Sequence, residues 1–334
     1  MVAKNILVLG GGNGGTIISN KLRRELPEEK WNITVIDGDN RHIYQPGLLM
    51  VPFNLDDPRK IVKPRNKFLK PGVNFVQDYA LLIDIESKKV TTKRGHVFPY
   101  DFLVISTGCS VQPSVDNGLE EAMGGNAFTF YTLDGAIALS KALKSYQGGR
   151  LVVNISSLPI KCPVAALEFS FLADWYFKKR GIRDKVDIEF VTPAPGIFAK
   201  PKAASVLTKI AEQKNVKVRT NWCLGTVNAQ EKWIENIRGD ERIEYDLLVS
   251  VPSTLGDESI RNSGLGDNKG YIPTDPHTLQ AKGHGRIYVL GDASDVPTSK
   301  AGSAVHYQAN VVARNILSEV NDSAPAPLYD GHAT

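Results

Sequence analysis

The most reactive side-chain type in this 334-residue chain sits in a proline-flanked turn, Pro159-Ile-Lys-Cys-Pro163. Cys162 stands next to Lys161 and just ahead of a helix expected over 165–180. Both a cation and a helix N-terminus favour thiolate, the form of sulfur that attacks. On residue type alone, a buried packing thiol is the ordinary reading and redox work the sharper one. Glu168, early in the helix, fits a proton relay or simple compensation of the helix dipole. A second constellation is Gly10-Gly-Gly-Asn13-Gly-Gly15, which places three glycines in a G-x-G-x-x-G frame, with Asp37 downstream. Gly10 allows a tight turn, Gly12 lets backbone approach a pyrophosphate, and Gly15 lets helix and strand pack closely. Asp37 can accept hydrogen bonds from ribose hydroxyls. No histidine or cysteine spacing suggests a metal, and no Ser-His-Asp set stands out.

These residues need particular elements to hold them. Ile6–Leu9 is four consecutive apolar residues, the pattern of a strand buried on both faces. Ile18, Leu22 and Leu26 recur on one face of the helix after the glycines, whose N-terminus offers N–H groups to a phosphate. Ile33–Ile36 is the next strand, and it ends at Asp37. Strand, glycines, helix, strand and acid in that order form a dinucleotide-binding unit. His42–Met50, apolar and containing Gln45 and Gly47, can lie along an extended cofactor. Ala80–Val104 is a run of strands broken by polar turns, an antiparallel meander. It delivers Ser106-Thr107-Gly108, small residues that allow close approach of a ligand.

A second strand-turn-helix unit starts at Arg150–Ile155. Ser156–Val164 fills the place of its dinucleotide loop without glycines and with two prolines, so weak binding of NAD(P)H, or none, is expected there. Strands follow at Val186–Val191, Val216–Arg219, Cys223–Val227 and Tyr245–Ser250, with a helix over Ala203–Gln213. Ile287–Asp292 is a buried strand ending in Gly291-Asp292, followed by Lys300 and a helix from Gly302 to Ser318. The tail Ser323–Thr334 is expected to be loosely ordered.

Apolar residues make up 42% and charged residues 23%, the composition of a globular protein. A net charge of +4 is too small over this length to argue for nucleic acid. The basic residues of Arg59–Lys70 are expected on a solvated loop face. Three cysteines do not make a disulfide scaffold and fit a reducing compartment or a redox site; a cytoplasmic location is expected. No leader and no membrane-length apolar run is evident. Attachment to a membrane surface and self-association stay open.

Together, Gly10–Gly15 with Asp37, Ser106-Thr-Gly108, the glycine-poor second loop and Gly291-Asp292 resemble the two-dinucleotide-binding-domain flavoproteins. Within them, Tyr44-Gln-Pro-Gly47, Pro159–Pro163 with Glu168, and Lys300-Ala-Gly302 resemble the sulfide:quinone oxidoreductase and flavocytochrome c sulfide dehydrogenase branch. The resemblance spans about residues 4–318. It implies an α/β fold with two Rossmann-like domains of the glutathione-reductase-like type and antiparallel meander insertions. The implied layout is an FAD domain over 1–110 and 256–320, a second domain over 111–255, and a tail over 321–334.

The resemblance further implies FAD extended along Gly10, Gly12, Asn13, Gly15, Asp37, Gln45, Thr107, Gly108 and Gly291. Asp292 would bind the ribityl or pyrophosphate region, and the Gly302 helix would face the flavin pyrimidine edge. Lys300 would place charge near flavin N1 or the acceptor pocket, the alternative being a solvated loop lysine. Cys162 would carry sulfur as a persulfide beside the flavin, and a quinone or cytochrome would take the electrons. Two features depart from the branch. No cysteine follows Cys223, and the chain stops soon after the Gly302 helix. A third family cysteine, when present, falls at Tyr131. The rival expectations are an NADH-oxidising flavoprotein and a non-catalytic FAD-binding subunit.

Overall fold

The computed structural model describes residues 3–323 and 328–333. Its chain forms two units, one made of residues 1–43, 62–110 and 255–334, the other of 44–61 and 111–254.

In the first unit, β1 (Lys4–Leu9) leads into α1 (Asn13–Glu25) and then β2 (Trp31–Ile36). Ile6 to Leu9 are each at most 2% exposed, as a strand covered on both faces requires. Five strands pair in the order Ile287–Val289, Phe102–Ile105, β1, β2, Val73–Val76, and every pairing is parallel. Ile18 and Leu22 of α1 and Val312 and Ile316 of the C-terminal helix Gly302–Val320 bury against one face. Each fully buried aliphatic side chain contributes about 1.5–3 kcal/mol. The opposite face is covered by apolar residues of the meander and of the 260–281 segment, among them Ile83, Val90 and Ile272. The expected meander is present as Ala80–Asp84, Lys89–Thr92 and Val97–Pro99, paired antiparallel.

The second unit repeats the plan. Its parallel sheet runs Ala127–Phe128, Leu247–Val251, Gly149–Ile155, Val186–Val191, Val216–Arg219. The helix Ala165–Lys179 packs on it through Phe169, Ala173 and Phe177. A second antiparallel meander, Leu224–Asn228, Trp233–Asn236 and Arg242–Glu244, follows the last of the consecutive strands. The sequence reading identified only its first strand, because the other two are short and polar.

Three expectations change. Tyr44–Ile61 belongs to the second unit, where Phe53 packs on Phe169 with ring centroids 4.8 Å apart. The 59–70 segment is not uniformly solvated, since Arg65 is buried. At the end of the chain Tyr329 is 2% exposed and donates its N–H to His277 O at 2.8 Å. An aromatic ring that reaches the core anchors a tail whose proline-rich composition suggested looseness; residues 324–327 and 334 lie outside the described residues.

Candidate active site

The glycine loop of the first unit has the shape its spacing predicted. Gly10 has φ +86°, and a Cβ on it would lie 2.4 Å from Ser106 O. A Cβ on Gly15 would come within 1.8 Å of Gly10 O, so helix and strand touch through backbone alone. Around Gly12, by contrast, a Cβ would meet nothing within 4 Å. The tight contacts close one side of the loop and leave the other open. No side chain caps α1, and its first turn holds no acid. Its first N–H groups and positive dipole end are therefore available to an anion.

Asp37 is oriented from three directions. Its carboxylate accepts from Gly11 N–H at 2.7 Å and from Asp39 N–H at 2.9 Å, and it pairs with Arg65 Nη2 at 3.3 Å. A carboxylate has about four acceptor positions, so capacity remains for a ribose hydroxyl.

The far side of the same sheet brings a second acid. Gly291, at φ +72°, donates its N–H to the buried Gln308 Oε1 at 2.7 Å, which fixes the turn that presents Asp292. Lys300 Nζ donates to Asp292 O and Ser294 O, both at 2.8 Å. It also sits 4.3 Å from the Tyr271 ring centroid. Burial pushes the Lys300 pKa down, against an opposing pull from Asp292. Cys109 Sγ lies 4.0 Å from Asp292 Oδ2. The helix Gly302–Val320 has neither a side-chain cap nor an acid in its first turn. Asn13 Nδ2 donates to Gly302 O at 3.2 Å, tying the starts of the two helices together. Thr107 Oγ1 is buried with no hydrogen-bond partner among the described residues. Two uncapped helix N-termini, two oriented carboxylates and an orphaned hydroxyl fit an extended dinucleotide.

In the second unit, the turn 156–163 is held at several points. Thr254 Oγ1 donates to Pro159 O at 2.9 Å. Ser157 Oγ lies 2.7 Å from Ser253 Oγ, which donates in turn to Asp116 Oδ1 at 2.6 Å. Tyr131 Oη donates to Cys162 O at 2.9 Å. Cys162 itself adopts a left-handed φ of +43°, a conformation a non-glycine residue holds only when its surroundings impose it. Burial, followed by the proximity of Cys162 and Glu168, raises the Tyr131 pKa well above 10.0. The Glu168 side chain reaches solvent, yet burial of its carboxyl raises that group's pKa. No side chain caps the helix Ala165–Lys179.

The family described as pyridine nucleotide-disulphide oxidoreductase matches residues 4–310. The chain belongs to that family. Among this oxidoreductase's relatives is the mitochondrial sulfide:quinone oxidoreductase of Dictyostelium discoideum, 29% identical over 98% of this chain and 74% of that protein. The mouse mitochondrial sulfide:quinone oxidoreductase is 27% identical over 99% of this chain and 75% of its own length. The crystal structure of the sulfide:quinone oxidoreductase from Aquifex aeolicus superimposes with a TM-score of 0.84 at 22% identity, covering 96% of this chain and 78% of that one. These matches agree with the fold and the branch that the motifs resemble.

Of the site residues named from sequence, Gly10, Gly12, Asn13, Gly15, Asp37, Thr107, Gly108, Gly291, Asp292, Lys300 and Gly302 all fall in the oxidoreductase's first unit. Gln45, Cys162 and Glu168 fall in the second. Sequence reasoning missed Arg65, hidden in a basic run, and Gln308. A polar residue among the apolar positions Val305, Ala309 and Val312 was the available signal for Gln308. The Thr254 and Asp116–Ser253 braces had none, because chain distant in sequence supplies them.

Proposed function

We propose that this chain is an FAD-dependent oxidoreductase that oxidises sulfide, or a related sulfane-sulfur donor, at Cys162 and passes the electrons to a quinone. The observation that carries this reading is the 156–163 turn. Where a nucleotide-binding loop would have glycines, this one has a braced, left-handed cysteine ahead of an uncapped helix. The names of the relatives support the choice of sulfide and quinone.

FAD, when bound, supplies a two-electron acceptor that a quinone can reoxidise. The open face of Gly12 and the N-terminus of α1 would take its pyrophosphate, and Asp37 its ribose. Thr107, Gly108 and Asp292 would line its body. Lys300 holds the Asp292 turn through two carbonyls, and the Gly302 helix end favours negative charge nearby.

Cys162 does the sulfur chemistry. Its thiol and a hydrosulfide ion form one S–S bond, releasing one proton and two electrons and leaving a persulfide on the cysteine. Glu168, its carboxyl less acidic than usual, is suited to take the released proton. Among the described residues, no helix is long and apolar enough to cross a membrane. A lipid-soluble quinone would then be met at a membrane surface.

Steady-state reduction of a soluble quinone analogue by sulfide tests the reading. Cys162→Ser should lower the rate about a hundredfold or more with bound flavin unchanged. An unaltered rate would remove Cys162 from the reaction.

A further inference from the structure

We propose that Arg65 is a working part of the cofactor cradle, a clamp that fixes both the glycine loop and the ribose acid for the adenosine diphosphate half of the cofactor. The inference rests on the dinucleotide reading of that loop. Arg65 opens the short turn Arg65–Phe68 and is only 5% exposed. Its guanidinium touches four separate points of the cradle. Nη1 donates to Gly11 O, Nε to Asp39 O at 2.8 Å, and Nη2 to Arg41 O at 2.9 Å. Nη2 also pairs with Asp37 Oδ2 at 3.3 Å. Its backbone N–H is fixed as well, donating to Asn40 O at 2.6 Å.

A buried cation persists only when it is paired and its donors are used. Here one carboxylate and three carbonyls meet that need, and every one of them belongs to the loop or to the chain just after β2. The interlock is steric too. A Cβ on Gly11 would lie 2.6 Å from Arg65 Cδ, so this loop residue must be glycine for the arginine to lie there.

Three consequences follow for the cofactor. The Gly11 carbonyl is turned onto the guanidinium, and the Gly11 N–H onto Asp37. The Asp37 carboxylate is oriented before a ribose arrives. A full positive charge also lies within hydrogen-bonding distance of the loop that would receive two phosphates. A planar fork makes these contacts and a lysine cannot, because a single ammonium cannot reach three carbonyls in different directions.

The test is titration of the full-length protein with FAD and, separately, with ADP. The variants are Arg65→Lys, Arg65→Met, Asp37→Asn and the double variant D37N/R65M, with exposed Lys67→Met as control. The expected result is that both Arg65 variants weaken FAD and ADP by the same factor, about tenfold or more. The double variant should lose less than the product of the two single losses, because the residues act as one unit. Lys67→Met should bind as the unaltered protein does. Arg65→Lys, which keeps the charge and the stem, serves if Arg65→Met does not fold. Wild-type affinity for both ligands in the Arg65 variants would overturn the proposal. So would a loss confined to FAD with ADP unaffected, or fully multiplicative losses with Asp37→Asn. An unaltered protein that binds neither FAD nor ADP would instead overturn the dinucleotide reading beneath it.

Discussion

The Cys162 side chain is presented by a backbone conformation that its neighbours enforce. Tyr131 is one enforcer, its hydroxyl donating to Cys162 O, and burial raises its pKa above the usual tyrosine range. Tyr131→Phe removes that bond while the Cys162 carbonyl keeps the Ala165 N–H at 3.0 Å, a loss of about 1 kcal/mol read as a lowered urea midpoint. An unchanged midpoint would mean the bond contributes nothing. At the other unit, His42 feels Arg65. Burial first, then the Arg65 charge, lowers the His42 pKa from 6.5, with Asp37 pulling the opposite way. Between the lowered folded value and 6.5 the unfolded chain binds more protons. The His42 contribution to stability is therefore complete above pH 6.5 and is lost as pH falls through the folded value. Arg65→Met removes the nearby cation, so an NMR titration should show the His42 pKa rising. A pKa that stays put would place the arginine charge elsewhere.

Elements rather than residues decide whether the loop exists at all. β1 and α1 meet through Gly15, where a Cβ would sit 1.8 Å from Gly10 O. That neighbour is backbone and cannot swing aside. Gly15→Ala should cost about 1–3 kcal/mol of stability, as overpacking does, and release bound flavin. Thermal melting and flavin content measure both, and a stable variant with full flavin would contradict the packing argument. This joint was legible in the sequence because glycine spacing and helix periodicity are local properties. So were β2 ending at Asp37 and the helix after Cys162. The brace on Gly291 by Gln308 was less legible, and the brace on Pro159 by Thr254 not at all. The Thr254 bond depends on which distant segments become neighbours, and the second meander separates its partners in the chain. Arg65 was hidden for a different reason: composition marks a basic run as solvated, while burial is decided one residue at a time.

At the scale of the whole molecule, the same plan appears twice with different outcomes. Each unit has a five-stranded parallel sheet, a helix after a central strand, and a three-stranded antiparallel sheet. In the first unit, the strand-to-helix turn is glycine, open at Gly12 and backed by Asp37 and Arg65. In the second, it is a longer turn with prolines and a cysteine, tied down by Thr254, Ser253 and Tyr131. A glycine turn admits a pyrophosphate, and a braced cysteine turn presents sulfur. The proposal that electrons enter from sulfur follows from this asymmetry. The direct measurement is the visible spectrum of the flavin-loaded protein, mixed without oxygen with sulfide in one cuvette and NADH in another. The account predicts rapid loss of the yellow absorbance with sulfide and little change with NADH. Rapid bleaching by NADH, with sulfide inert, would contradict it.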